Sequence, residues 1–235
     1  MTVVERPGPA PGRSAPWLGT GIGVVLGVVA GAAIVVAAAL AVRSDHGSGA
    51  AATEHRELAP FVAVELAGEN TVTIRVGPAQ SVAVTADQDL IRRVTTIVHD
   101  GRLVVGNEGS VTTANGMSVA VTVPSLERVV LSGSGTVTVA GVTGNDFVAD
   151  LSGTGTLEAS GTVGRVTAVL SDTGTVDLKG LIAREAVARM DGTGVIGVHA
   201  TSTLDATLTG TGSIVYWGAP SVTTHNTGTG TVTAG

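Results

Sequence analysis

The chain has 235 residues, with 34 glycines, no cysteine, 2% aromatic and 14% charged residues, and a formal net charge of −6. The missing cysteines exclude a disulfide scaffold, thiolate metal centres and a cysteine nucleophile. Acidity with scarce aromatics argues against nucleic acid as a partner, which calls for a basic footprint and stacking residues. Since aromatics usually dominate a conventional core, a chain that is 43% hydrophobic without them must fold around a thin interior of small residues.

Residues 1–16, with Pro7, Pro9, Pro11 and Pro16, read as a short cytoplasmic tail. Residues 17–42 are an uncharged run of 26 residues between Arg13 and Arg43. That exceeds the roughly 20 apolar residues needed to span a bilayer, and is longer than a signal-peptide core of about 7–15 residues. The run predicts a transmembrane helix holding the carboxyl-terminal bulk outside the cell membrane; Ala39-Leu40-Ala41 fits a cleavage pattern, so a cleaved signal peptide competes. Gly19, Gly23, Gly27 and Gly31 recur every four residues, which places them on one helix face where a second helix can approach closely and form a homo-oligomer. Residues 43–59, with Gly47-Ser48-Gly49 and Ala50-Ala51-Ala52, read as a flexible linker ahead of a domain at 60–235.

From 61 to 130, runs at Phe61–Leu66, Thr71–Val76, Ser81–Thr85, Val94–Val98, Arg102–Val105 and Met117–Val123 read as strands. Asp100-Gly101 suits a tight hairpin. After residue 130 a phrase recurs: Leu131-Ser132-Gly133-Ser134-Gly135, then versions beginning at Leu151, Leu170, Met190, Leu208 and Asn226, at offsets of 20, 19, 20, 18 and 18 residues. Apolar residues alternate at spacing two within it, so no helix fits the period. Alternation sends one parity inward. One inward column reads Val137, Leu157, Val176, Ile196, Ile214, Val232, and another Ala149, Ala168, Ala188, Ala206, Thr224. Like residues at matching positions of successive coils predict an all-β fold, a parallel β-helix (β-solenoid) of 18–20-residue coils following the transmembrane helix. Gly141, Gly161, Gly180 and Gly218 mark a predicted corner. If every residue from Phe61 joined such coils, about nine would stack into a rod of roughly 40 Å at the usual strand spacing.

Phe61-Val62-Ala63-Val64, Asp89-Leu90-Ile91, Val98-His99-Asp100-Gly101-Arg102-Leu103-Val104-Val105, Val123-Pro124-Ser125-Leu126 and the S-G-S/T-G phrases together resemble the head GIN domain family of auto-transporter adhesins, exported bacterial proteins. The resemblance covers residues 61–235 and implies a parallel β-helix outside the cytoplasm with an adhesive role and no catalytic residues. Asp172 and Asn226 depart from the S-G pattern.

Gly192-Thr193-Gly194-Val195-Ile196-Gly197 matches a dinucleotide fingerprint, but that motif needs a helix after it to hold pyrophosphate. Here it is one copy of the repeat, and no cofactor is expected. The histidines (His46, His55, His99, His199, His225) lack the spacing of a metal site, and no G-x-S-x-G accompanies them, so neither a metal nor a hydrolytic triad is expected. Glu158 and Asp177 share an outward column on adjacent coils without a third carboxylate, as on an ordinary solvated face.

The outward hydroxyls are more distinctive: Ser152, Thr154, Thr156; Ser171, Thr173, Thr175; Thr209, Thr211; Thr227, Thr229, with Asp191 and Val195 interrupting. Threonine ladders stabilise strands on their own account. The same array is the candidate contact for a glycan or cell-envelope polymer, and its regularity also resembles the ice-binding faces of small β-solenoids. The glycines between the hydroxyls are expected to bring the opposite wall close and keep this face flat. Tyr216 falls on an inward column, so Trp217 should point outward as an aromatic contact or as a cover for the rod's end. No capping helix follows Thr231, so the rod ends are expected to stack between molecules. The sequence thus reads as a membrane-anchored, non-enzymatic adhesin or envelope structural protein, with a sensing or assembly scaffold and a polysaccharide-active enzyme as alternatives.

Overall fold

Val, Thr and Ile at alternate positions favour extended backbone and leave no helical apolar stripe. The computed structural model describes residues 45–113 and 115–235. They form strands β1 (Asp45–His46), β2 (Ala51–His55), β3 (Ala63–Leu66), β4 (Thr71–Val76), β5 (Ser81–Asp87), β6 (Val94–His99), β7 (Arg102–Asn107), β8 (Val111–Thr112) and β9 (Ser118–Val123). They continue as β10 (Arg128–Leu131), β11 (Thr136–Leu151), β12 (Thr156–Leu170), β13 (Thr173–Met190), β14 (Thr193–Leu208), β15 (Ser213–Trp217), β16 (Ser221–Asn226) and β17 (Thr231–Ala234). One 3-10 turn, Ile91–Arg93, is the sole helical element among the described residues. None of these residues forms a helix long and apolar enough to cross a membrane. The tail at 1–16, the expected transmembrane helix at 17–42 and its Gly19, Gly23, Gly27 and Gly31 face lie outside the described residues.

From Arg128 onward the chain winds through about five turns of a β-solenoid. The end of each long strand and the start of the next make one rung, parallel to the rungs on either side. The register joins Val137, Leu157, Val176, Ile196, Ile214 and Val232 into one column and Ala149, Ala168, Ala188, Ala206 and Thr224 into another. These are the inward columns read from the sequence, and all but Val232 and Thr224 are buried. A third column, Leu131, Leu151, Leu170, Met190 and Leu208, is fully buried beside them. Alanine beside leucine along these strands keeps the buried side chains small, which is how the core forms almost without aromatics.

The first half departs from regular winding, so the nine-coil estimate does not hold. Strands β3 and β4 form a rung that is extended on one side by β10 and β11, and on the other by the later strands β7 and β9. The chain therefore lays down one rung, adds a second beneath it, and steps back over the first between Val123 and Arg128. The edges of the lower rung are closed by antiparallel partners, β6 on β7 and β5 on β9, with β2 on β5. The predicted hairpin joins β6 to β7, with Asp100 at φ 50° and Gly101 at φ 70°, the left-handed conformation a tight turn needs.

A further correction concerns the amino-terminal end. Residues 51–55, expected within a flexible linker, are strand β2 paired with β5, and β1 pairs with β8. This amino-terminal strap is held by polar groups: buried Asp87 accepts hydrogen bonds from Thr113 Oγ1 (3.1 Å) and Asn115 Nδ2 (2.5 Å), while Ser48 N donates to Asp89 Oδ1 (3.0 Å). At the other end, the last rung carries exposed Val222 in register with Leu204. Its inward positions include Thr224 and Asn226, in register with Ala206 and Leu208. Asn226 closes its own turn, with Nδ2 donating to Gly230 O (2.9 Å) and Oδ1 accepting from Gly228 N (3.1 Å).

Candidate functional site

The recurring S-G-S/T-G phrase is the bend between the two strands of each rung. Ser152, Thr154, Thr209, Thr211, Thr227 and Thr229 lie in these bends, Thr156 opens β12, and Thr175 lies two residues inside β13. Ser171 also precedes its strand, whereas Thr173 begins β13. The hydroxyls therefore form a ridge along a bend, rather than the flat strand face read from alternation. Ser152, Thr154, Ser171, Thr173, Thr209, Thr211, Thr227 and Thr229 are exposed, while Thr156 and Thr175 are half-buried.

Glycine makes the ridge possible, but not by drawing in an opposite wall. A Cβ on Gly153 would lie 1.9 Å from Gly133 O, and one on Gly192 would lie 1.8 Å from Asp172 O. Each bend sits directly on the carbonyl of the bend before it. The backbone is satisfied in the same stroke, since Ser152 N and Gly153 N both donate to Leu131 O (3.0 and 3.1 Å) and Thr154 N to Gly133 O (3.1 Å). Asp172 stands at one glycine position: Ser171 N still donates to Leu151 O (3.0 Å), and the ladder with β12 is taken up again at Thr175. Some hydroxyls bond along the ridge, Thr193 Oγ1 with Thr211 Oγ1 (2.9 Å), Ser213 Oγ with Thr231 Oγ1 (3.3 Å), and Thr209 Oγ1 to Asp191 Oδ1. At the far end Ser132 Oγ donates to Glu65 Oε1 (3.1 Å).

Trp217 is on the outward parity, as expected, with Tyr216 in the inward column of Leu178 and Val198. The indole is half-buried rather than free. It covers Gly197, which is buried although its position faces outward; a Cβ there would come 3.0 Å from Trp217 Cζ3. Lys179 Nζ lies over the ring, 4.6 Å from its centroid.

Beside this pair is a hollow of about 510 Å³ lined by Thr138, Glu158, Ser160, Asp177, Lys179 and Gly180 among others. Glu158 and Asp177 are register partners, flanked by Thr138 and Gly197 in the same column. Its origin lies in unequal coil lengths. Between Val139 and Val142 the chain has two residues where β12 has one, between Ala159 and Gly161, and β13 again has one more than β12 between Asp177 and Leu181. The hollow lies at this change of coil length, with Ser160 of the shorter coil and Gly180 of the next among its lining. In the sequence, the sign of this is the 19-residue offset between two of 20.

Among the described residues no three His, Asp or Glu side chains gather to hold a metal ion. His199 Nδ1 lies 3.3 Å from Lys179 O on one strand column, while His225 is on the other. The Gly192–Gly197 fingerprint runs into strand β14.

The family model described as "putative auto-transporter adhesin, head GIN domain" matches residues 60–220. The chain belongs to this family. A solved structure of a putative adhesin from Bacteroides fragilis aligns over 80% of this chain and 99% of its own, at 18% identity and a TM-score of 0.65. A putative adhesin from Parabacteroides merdae aligns over 82% and 100%, at 20% identity and a TM-score of 0.50. A putative lipid binding protein from Parabacteroides distasonis aligns over 82% and 100%, at 19% identity and a TM-score of 0.49. No curated protein matches. At these identities the likenesses to the two putative adhesins establish the fold alone.

Proposed function

We propose that this head GIN domain is a non-enzymatic adhesin, carried outside the cytoplasm on the apolar segment at 17–42 and contacting a surface polymer through its hydroxyl ridge. The observation that carries the reading is the ridge itself: exposed Ser and Thr side chains repeated along bends whose backbone bonds are already satisfied. Such a surface is rigid before it meets a partner, so little ordering is required on binding. Hydroxyls both donate and accept, which suits a polymer rich in the same groups. The family description supports the adhesive role, and the scattered histidines support the absence of catalysis.

The test uses the full chain reconstituted in nanodiscs and passed over immobilised bacterial envelope polymer. Saturable retention is expected, and the triple variant Thr154→Val, Thr173→Val, Thr211→Val should lose it about tenfold, near 1.4 kcal/mol, while its thermal unfolding is little changed. Equal retention by the variant overturns the ridge as contact. Absence of retention in the parent protein overturns the adhesive reading.

A further inference from the structure

We infer that the hollow over β12 is a separate saccharide subsite, suited to a neutral oligosaccharide and distinct from the ridge. It deepens the adhesive reading by naming a ligand class, and rests on that reading only for its biological setting.

Four observations combine here. A recess of about 510 Å³ lies where the coil lengths differ, lined by residues of β11, β12 and β13. Its wall carries groups of three kinds: the hydroxyls of Thr138 and Ser160, the carboxylates of Glu158 and Asp177, and the ammonium of Lys179. Lys179 N donates to Asp177 Oδ1 (2.9 Å), which fixes that carboxylate and leaves its second oxygen for a ligand. Glu158 is exposed and makes no ion pair or hydrogen bond with the described residues. Finally, Lys179 Nζ is held over the Trp217 indole, 4.6 Å from its centroid, which places the ammonium at the edge of the recess.

Sugar hydroxyls donate to carboxylates, and two carboxylates one strand apart, about 4.8 Å, can serve hydroxyls of one chain. Lys179 supplies the donor for a hydroxyl or ring oxygen. Two carboxylates against one ammonium leave the recess negative, which disfavours polyanionic glycans. No third carboxylate or histidine joins the pair among the described residues.

Full-length protein in nanodiscs is titrated with cellohexaose, maltohexaose and chitohexaose, and with an alginate oligomer as the polyanion, by calorimetry. At least one neutral hexaose should bind saturably. Binding should weaken about tenfold in Glu158→Gln/Asp177→Asn, whose exposed side chains leave the core intact, and should be unchanged in Thr154→Val. The proposal is overturned if no neutral hexaose binds, if the double variant binds equally well, or if alginate is preferred. Retention on envelope polymer in the same preparations separates the two readings. Ridge-dependent retention without hexaose binding removes the subsite alone, and hexaose binding without ridge dependence removes the ridge alone.

Discussion

Gly153 lies against the backbone of Gly133, one turn earlier, so closely that an added Cβ would come 1.9 Å from the Gly133 carbonyl oxygen. The obstacle is main chain, held in turn by the Thr154 N–H at 3.1 Å, and cannot swing aside as a side chain would. Gly153→Ala should therefore destabilise the domain by about 1–3 kcal/mol, the usual range for overpacking. Thr154→Ala, at the exposed neighbouring position, should stay within about 0.5 kcal/mol, as surface substitutions usually do. Urea unfolding midpoints of the two variants check the contrast. Equal midpoints would show that the bends can spread apart at little cost.

Asn226 occupies the column that reads Leu131, Leu151, Leu170, Met190 and Leu208 in earlier turns. Asn226→Leu restores the apolar repeat at the last rung while removing both hydrogen bonds that close its turn. The substitution should expose leucine at a strand edge and promote end-to-end association. Light scattering across a dilution series is expected to show mass rising with concentration in the variant and rising less in the parent. Identical behaviour would mean that Asn226 does not limit stacking.

The contrast between the two halves shows how much was legible in the sequence. Columns such as Val137, Leu157 and Val176 could be aligned by eye because each rung repeats its predecessor, and their register in space follows that alignment. Before residue 128 this relation between chain order and spatial order fails. Strand β3 lies between β7 and β10, and nothing in the local pattern of Ala63–Leu66 says that a later strand will be inserted beneath it. The strap at 51–55 was hidden for another reason: small residues look like linker, and what holds them is a distant strand, β5. The hydroxyls were found, but parity alone could not show that Ser152 and Thr154 lie in a bend. Alternation continues through the phrase while the chain turns, because glycine at each second position permits both.

Asp89 provides a pH test of the strap. The backbone hydrogen bond from Ser48 holds its carboxyl below the ordinary aspartate range. Because the folded value is depressed, the stabilisation is fully present above the unfolded pKa, about 3.9 for aspartate, and is lost as pH falls through the lower folded value. Amide exchange at residues 47–50, corrected for its intrinsic pH dependence, should stay level from neutral pH to about 5 and rise below about 4. Asp89→Asn should raise it at neutral pH and flatten the profile. An unchanged profile in that variant would assign strap docking to Asp87 and its partners instead.

Trp217 and Gly197 offer a test of how the indole is seated. The glycine leaves room for the ring at an outward position, and a Cβ there would meet Trp217 Cζ3 at 3.0 Å. Gly197→Val adds two methyl groups beyond that Cβ, so the indole must lift from the strand and leave Lys179 Nζ, now 4.6 Å from its centroid. The cation–π contact contributes about 0.5–1 kcal/mol at an exposed site, and valine itself favours extended backbone, so overall stability should change little. The ring's surroundings should change more. In a Trp17→Phe background, where Trp217 is the sole tryptophan, Gly197→Val should shift emission to longer wavelength and raise quenching by acrylamide. Lys179→Met, which removes the cation and keeps the glycine seat, should leave quenching nearly unchanged. If both substitutions expose the indole equally, lysine rather than the missing side chain at 197 is what holds Trp217 down.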